Sequence, residues 1–315
     1  MGERLIFMGT PSFAVPTLEA LARQYDVAAV VTQPDRPARR GRKLTASAVK
    51  EAALKLRLPI MQPVSLRDEE AISRLSELEP RVMVVAAFGQ ILRPQVLAIP
   101  PAGVINVHPS LLPKYRGASP IAGALLAGEE ETGVTIMLMD EGMDTGPILR
   151  QTTVQVESAD TTGSLEERLA RVGAELIVET LPAWLEGRIE AQPQDDDRAT
   201  YTKPLTKDAA AIDWSLPAID IWRRVRAYNP RPSSRTWWKG GQLKVLVANP
   251  DSDWKGEGEP GQVVRTSSGV GVVTGEGALL LEEIQLAGKR AMSMDDFAHG
   301  QRDFVGSRLG ERIED

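Results

Sequence analysis

The chain has no cysteine in its 315 residues and only two histidines, His108 and His299. A disulfide, a thiolate nucleophile and a cysteine-based zinc site are therefore excluded. Without a His-Glu-x-x-His pattern no metal site is expected, so the chemistry must rest on oxygen and nitrogen groups. No apolar run approaches the roughly 20 residues that a membrane span needs. Arg4 to Met8 reads as a first strand rather than a signal peptide. The expectation is a cytoplasmic protein with no membrane partner, acting as a monomer. A Gly-x-Gly-x-x-Gly run is also missing after that strand, where Gly9 stands alone, so a nicotinamide cofactor is not expected. The net charge of −6 argues against indiscriminate binding of nucleic acid over the whole surface and leaves room for local basic patches.

Within those exclusions, 42% hydrophobic and 25% charged residues are ordinary for a soluble globular chain, and the length suffices for two cores. Leu5 to Met8, the punctuation Gly9-Thr10-Pro11-Ser12, a helical pattern carrying Val15, Leu18 and Leu21, and a second strand over Val27 to Thr32 form a βαβ opening. Such an opening predicts a doubly wound, Rossmann-like α/β sheet with a ligand crevice at the carboxyl ends of its strands. Helices are expected over about 46–56 and 69–78, and Val82 to Ala86 is apolar throughout, as a central parallel strand would be. Val134, Ile136 and Leu138 alternate with Thr135 and Met137 in a strand over 131–139, and a long amphipathic helix follows over 165–185.

The segment Gly103 to Gly117 organises the rest. Val104 to Val107 reads as a short buried strand bounded by Gly103 and Pro109. In extended backbone Asn106 and His108 leave the same face, and Pro109 biases His108 towards that conformation. An amide donor beside an imidazole suits a reaction in which negative charge develops on an oxygen. Taken alone, the same pair is better read as a structural histidine next to a turn residue. Downstream, Asp140, Glu141 and Asp144 crowd a loop bent by Gly142 and Gly146, which by itself could be a solvated turn or a helix cap.

The complete run Asn-Val-His-Pro-Ser-Leu-Leu-Pro-Lys-Tyr-Arg-Gly resembles the signature of the folate-dependent formyltransferases. Phe-Met-Gly-Thr-Pro-Ser-Phe-Ala-Val-Pro at 7–16, Ala-Phe-Gly-Gln-Ile-Leu at 87–92, Met-Asp-Glu-Gly-Met-Asp-Thr-Gly-Pro-Ile at 139–148 and Asp-Phe-Val-Gly-Ser-Arg near the end extend the likeness over nearly the whole chain. The resemblance implies a formyl group moving from 10-formyltetrahydrofolate to the α-amine of methionine esterified to initiator tRNA, without a metal. It implies Asn106, His108 and Asp144 as the catalytic trio, with His108 protonated. It implies folate contacts at Phe88, Gly89, Gln90, Ile91 and Leu92, at Ser110, Leu111, Leu112 and Pro113, and at Met139, Asp140, Glu141 and Gly142. The implied domains are a Rossmann-like catalytic domain over 1–188, a linker over 189–207 and an OB-like, tRNA-binding β-barrel over 208–315. The family's Trp-Pro-Gly-Ala after Asn-Pro is replaced here by Arg231-Pro232-Ser233-Ser234.

Arg36, Arg39, Arg40, Arg42 and Lys43 lie in one Pro- and Gly-bearing loop. Such a run could be merely a solvated surface loop, whereas the resemblance implies entry into the acceptor stem of tRNA. In the barrel segment Arg223, Arg224, Arg226, Arg231, Arg235, Lys239 and Lys244 accompany Trp222, Trp237 and Trp238. That mix suits phosphate contact with stacking, and equally an interdomain seam. A formyltransferase for a small substrate would share the same trio, and an RNA-binding module would need none of it.

Replacing Arg40, Arg42 and Lys43 together by alanine is expected to weaken tRNA binding in a filter or fluorescence titration. Each lost phosphate contact should flatten the slope of log K against log salt by about 0.7–0.9. Unaltered affinity and slope would leave the loop as solvated surface.

Overall fold

The apolar runs at the N-terminus and around positions 84 and 106 become neighbouring strands of one sheet in the computed structural model, which describes residues 3–38 and 43–310. Contacts divide the chain into two compact units. One comprises Met1–Pro120, Glu131–Val156 and Glu166–Thr202; the other Ile121–Glu130, Glu157–Leu165 and Lys203–Asp315.

In chain order the first elements are β1 (Arg4–Gly9), α1 (Val15–Ala22), β2 (Asp26–Val31), β3 (Arg36–Ala38), β4 (Lys43–Thr45), α2 (Ala48–Lys55) and β5 (Ile60–Met61). There follow α3 (Glu69–Glu77), β6 (Val82–Ala86), α4 (Pro94–Leu97), β7 (Val104–His108), β8 (Arg116–Gly117) and α5 (Pro120–Ala127). Next come β9 (Glu131–Leu138), β10 (Ile148–Gln155), α6 (Thr162–Leu185) and β11 (Tyr201–Thr202).

The large sheet has the order β10-β9-β7-β6-β1-β2-β5. Its strands from β5 to β7 are parallel, and β9 and β10 add antiparallel. The order reverses between β1 and β6, the switch point at which ligand crevices open in such sheets. Ile6, Met8, Ala29, Val31, Met83, Val85 and Val104 form one apolar face, packed with Ala71 and Leu75 of α3 and Val96 of α4. Alternation therefore places Asn106 and His108 on this face, two and four residues beyond Val104. Val107 points the other way, towards α6, where a Cβ added at Gly173 would lie 2.7 Å from its Cγ1 and 3.5 Å from that of Val134. Both Thr135 and Met137 are buried, as are Val134 and Ile136, because the sheet is covered on both faces at β9.

Residues 189–207, expected as a linker, are ordered against the first unit as far as Thr202. Ile148 and Gln192 exchange backbone hydrogen bonds of 2.7 and 2.8 Å, Thr200 accepts from the backbone N–H of Arg116 at 2.8 Å, and β11 pairs in parallel with β8. The Arg116 guanidinium engages Asp196 at 2.6 Å and ties this strap down.

The second unit carries α7 (Ala218–Ala227), β12 (Arg235–Trp238), β13 (Gly241–Asp251), β14 (Val263–Thr266), β15 (Gly269–Val273), β16 (Ala278–Leu286), β17 (Met292–Ser293) and α8 (Met294–Gly300). Its antiparallel sheet runs β12-β13-β16-β15-β14, with β17 beside β16, around a core that includes Trp214, Trp238, Leu243, Val272, Phe297 and Phe304. Trp238 meets Phe297 and Phe304 edge-on at 5.5 and 5.3 Å, so its ring is core and not a platform for a base. Arg226 is likewise committed: it lies buried 4.2 Å over the Trp222 ring and donates to the carbonyls of Asp160 and Glu157 at 2.7 and 2.6 Å.

The contact of α6 with β7 and β9 yields a stability test. Gly173→Ala is expected to cost about 1–3 kcal/mol through overpacking against the stiff Val107 side chain. The roughly 1 kcal/mol helix preference of alanine offsets this only in part. Urea unfolding measures the difference, and a stabilised variant would contradict the packing.

Candidate active site

Strand β7 fixes two of the three expected catalytic side chains. Asn106 pairs in register with Met137 and His108 with Thr135, and both are buried, at 9% and 4% exposure. Asp144 arrives from the loop between β9 and β10. Leu138 pairs with Ile105, at the opposite end of β7 from His108, so the loop must return along the sheet to reach the imidazole. It does so with Asp144 at φ 55°, a left-handed conformation rare for a residue with a Cβ. One oxygen of its carboxylate accepts from the Gly117 N–H at 2.8 Å, and the other lies 3.7 Å from Nδ1 of His108. That N–H is available because Gly117 adopts φ 107° with the Thr202 carbonyl 2.5 Å from where a Cβ would stand.

The other ring nitrogen settles the tautomer. Nε2 of His108 is 3.1 Å from the Tyr115 carbonyl, which can only accept, so Nε2 carries a hydrogen and the titrating position is Nδ1, facing Asp144. Burial pushes the imidazole below its ordinary pKa, opposed by the Asp144 charge and by the Tyr115 carbonyl. Burial thus favours the neutral ring, while the Asp144 carboxylate favours the imidazolium. Its cation is available at Nδ1 when a proton is delivered there. At 3.7 Å the Nδ1–carboxylate separation is an ion-pair distance longer than a hydrogen bond.

Of the expected folate residues, Phe88 and Leu92 are buried in the apolar cluster on the face of β7 that carries His108, and Met139 packs against the same cluster. The Phe88 carbonyl accepts from the hydroxyl of Thr10 at 2.8 Å and the amide of Gln33 at 3.4 Å. Gln90 is spent on structure, accepting from the Leu66 N–H and donating to the Pro63 carbonyl, whereas Ile91 is 78% exposed. Asp140 closes its own turn through the Gly142 N–H and the Thr145 hydroxyl, and Glu141 is exposed. Ser110 and Leu112 are buried, with Leu111 and Pro113 partly so. The hydroxyl of Thr135 donates to the Ser110 carbonyl and accepts from the Leu112 N–H, while Gln151 donates to the Leu112 carbonyl. Thr135 and Gln151 thus hold the 110–113 turn, a role that periodicity gave no means of finding.

At the switch point a cavity of about 380 Å³ is lined by Thr10, Gln33, Arg36, Ser47, Phe88 and Gly89 among others, and not by the trio. Arg36 is exposed and donates to Gln33 at 3.1 Å. The backbone of Arg36 to Ala38 pairs with that of Lys43 to Thr45 as a hairpin, so Arg36 and Lys43 stand at the base of the basic loop. Arg39, Arg40 and Arg42 fall outside the described residues.

The amide of Asn106 and the imidazole of His108 on one face of β7, with the Asp144 carboxylate beside the imidazole, are the kind of groups that a group-transfer enzyme uses where charge appears on oxygen. The family comparison says which. A model described as formyl transferase matches residues 3–181, and one described as formyl transferase, C-terminal domain, matches 204–302. The chain belongs to the formyl transferase family. It is 51% identical over 313 residues to the methionyl-tRNA formyltransferase of Roseiflexus sp. (strain RS-1), covering 99% of this chain and 96% of the relative. The methionyl-tRNA formyltransferase of Pseudomonas fluorescens (strain SBW25) is 46% identical over 311 residues, covering 98% and 97%. Among solved structures, an N-formyltransferase from Helicobacter canadensis in complex with folinic acid and dTDP-3-aminofucose aligns with TM-score 0.67 at 19% identity, over 92% of this chain and 100% of that one. HypX from Aquifex aeolicus in complex with tetrahydrofolic acid aligns with TM-score 0.64 at 16% identity, over 97% of this chain and 48% of that one. At such identities these two share the fold alone.

The His108 imidazole is expected to titrate, by NMR, below the ordinary value of about 6.5. Because the folded value lies below the unfolded one, its contribution to stability is fully present above the unfolded pKa and is lost as pH falls through the folded one. Asp144→Asn should lower the titration further, since the charge favouring the imidazolium is gone. A midpoint at or above the ordinary value in the unaltered protein would contradict the dominance of burial.

Proposed function

We propose that this protein transfers the formyl group of 10-formyltetrahydrofolate to the α-amino group of methionine esterified to initiator tRNA. The observation that carries the chemistry is the pairing of buried His108 with Asp144 on the face that also bears Asn106. The choice of acceptor is supported by relatives of that name at about half identity over nearly the whole chain. The reading also implies a cytoplasmic protein working as a monomer.

In this reading the amine attacks the formyl carbon, and the carbonyl oxygen takes up the negative charge of a tetrahedral centre. Asn106 donates its amide N–H to that oxygen. The proton lost by the amine passes to the His108–Asp144 pair at Nδ1, and the imidazolium so formed can share its N–H with the same oxygen. Collapse of the centre breaks the bond from the formyl carbon to the folate nitrogen, which takes a proton in return. The pterin is held by Phe88 to Leu92, Ser110 to Pro113 and Met139 to Gly142, where apolar packing and backbone groups lie together. The basic loop beginning at Arg36 meets the phosphates of the acceptor stem.

The test is to incubate the protein with labelled formyl-folate and either charged initiator tRNA or small amines, including amino sugars. Label on the tRNA is expected; label on a small amine alone would reassign the acceptor. His108→Ala and Asn106→Ala are each expected to lower turnover by about 10²–10³, with folate and tRNA binding little changed, because their main interactions form with the oxyanion. Full activity in either variant would remove that residue from the mechanism.

A further inference from the structure

We propose that Gln194 is a positioning residue for this reaction, holding the backbone of the Asp144 loop so that the carboxylate meets His108; this rests on the reading of Asp144 given above. The Gln194 carboxamide donates to the carbonyl of Asp144 at 2.8 Å and to that of Gly146 at 2.7 Å. Its oxygen accepts from Nε and Nη2 of Arg116 at 3.1 and 2.9 Å. Arginine can only donate and carbonyls can only accept, so the amide has one permissible orientation, and all four of its hydrogen-bonding positions are filled. Arg116 is itself buried, at 1% exposure, and anchored by Asp196 at 2.6 Å and the Tyr201 hydroxyl at 3.2 Å.

The neighbouring residue makes this more than loop support. Gly117, next in the chain after Arg116, donates the N–H that holds the Asp144 carboxylate. Asp144 is thus gripped at its carboxylate by one side of the Arg116 segment and at its carbonyl by the amide that Arg116 orients. Both grips act on a residue held in the left-handed region, which costs energy for any residue with a Cβ. Gln194 comes from the strap rather than from the catalytic loop or from β7, and it touches none of the reacting groups. Its effect runs through the position of Asp144.

Gln194→Glu separates this role from general stability. The carboxylate has the same shape and keeps its contact with Arg116, now charge-assisted, but it presents lone pairs where the two loop carbonyls need donors. Turnover is expected to fall by between about tenfold and 10²-fold, as for a misplacement of about 1 Å, with KM for folate and tRNA little changed. The melting temperature should stay near that of the unaltered protein, and the His108 titration should move down as the Asp144 charge withdraws. Unchanged turnover, or reduced turnover with an unmoved His108 titration, would overturn the proposal. If the unaltered protein formylated no tRNA, the functional reading would fail, while the His108 titration would still decide the positioning role: a downward shift supports it, none overturns it. Should the variant not fold, exchange of the Gln194 side-chain amide protons in the unaltered protein decides, slow exchange supporting the proposal and exchange at the rate of free glutamine overturning it.

Discussion

Bringing an imidazole out of water disfavours its charged form, and the surroundings of His108 oppose that loss with a carboxylate and a backbone carbonyl. His108 is buried at the end of β7, with one nitrogen satisfied by the Tyr115 carbonyl and the other turned to Asp144. A carboxylate in that position must be delivered by a loop that starts at the far end of the neighbouring strand, since Leu138 lies beside Ile105. The return path explains much of what surrounds it: the left-handed Asp144, the glycines at 142 and 146, and the N–H of Gly117 waiting at the end of the path. The strap over 192–202 closes the arrangement from outside.

The sheet contributes rigidity and direction. Parallel β6 on one side and antiparallel β9 on the other hold β7 in a register that sends Asn106 and His108 to one face and Val107 to the other. Gly173 lets α6 approach that other side closely. On the catalytic side, Thr135 lies directly across from His108 and spends its hydroxyl on the 110–113 turn. One cross-strand pair therefore serves both the imidazole and the turn that follows it.

The second unit shows how composition misleads when burial is unknown. Tryptophan with arginine reads as a surface for nucleic acid or equally as a seam, yet the Trp238 ring is packed edge-on against two phenylalanines that also touch each other, and Arg226 is consumed by backbone carbonyls. Arginine over tryptophan is worth as much inside a protein as at an interface, so the residue types carry no address. Other basic side chains of this unit, such as Arg231, remain exposed.

By itself the sequence determined the scaffold and which candidate groups share a face of β7. Val82–Ala86 and Glu69–Glu77 form the elements that their patterns predict, because runs and spacings of apolar residues act over a few residues. The i, i+2 spacing placed Asn106 and His108 on one face for the same local reason. Three things were decided only by tertiary structure: the neutral bias of His108, the meeting of His108 with Asp144, and the conversion of a polar, aspartate-rich segment into a strap. Each joins residues far apart in the chain, Arg116 to Gln194 and Asp144 to Gly117 among them. Burial and hydrogen-bond geometry at such separations exist only once the whole chain has closed around them, and no local pattern of residue types records them.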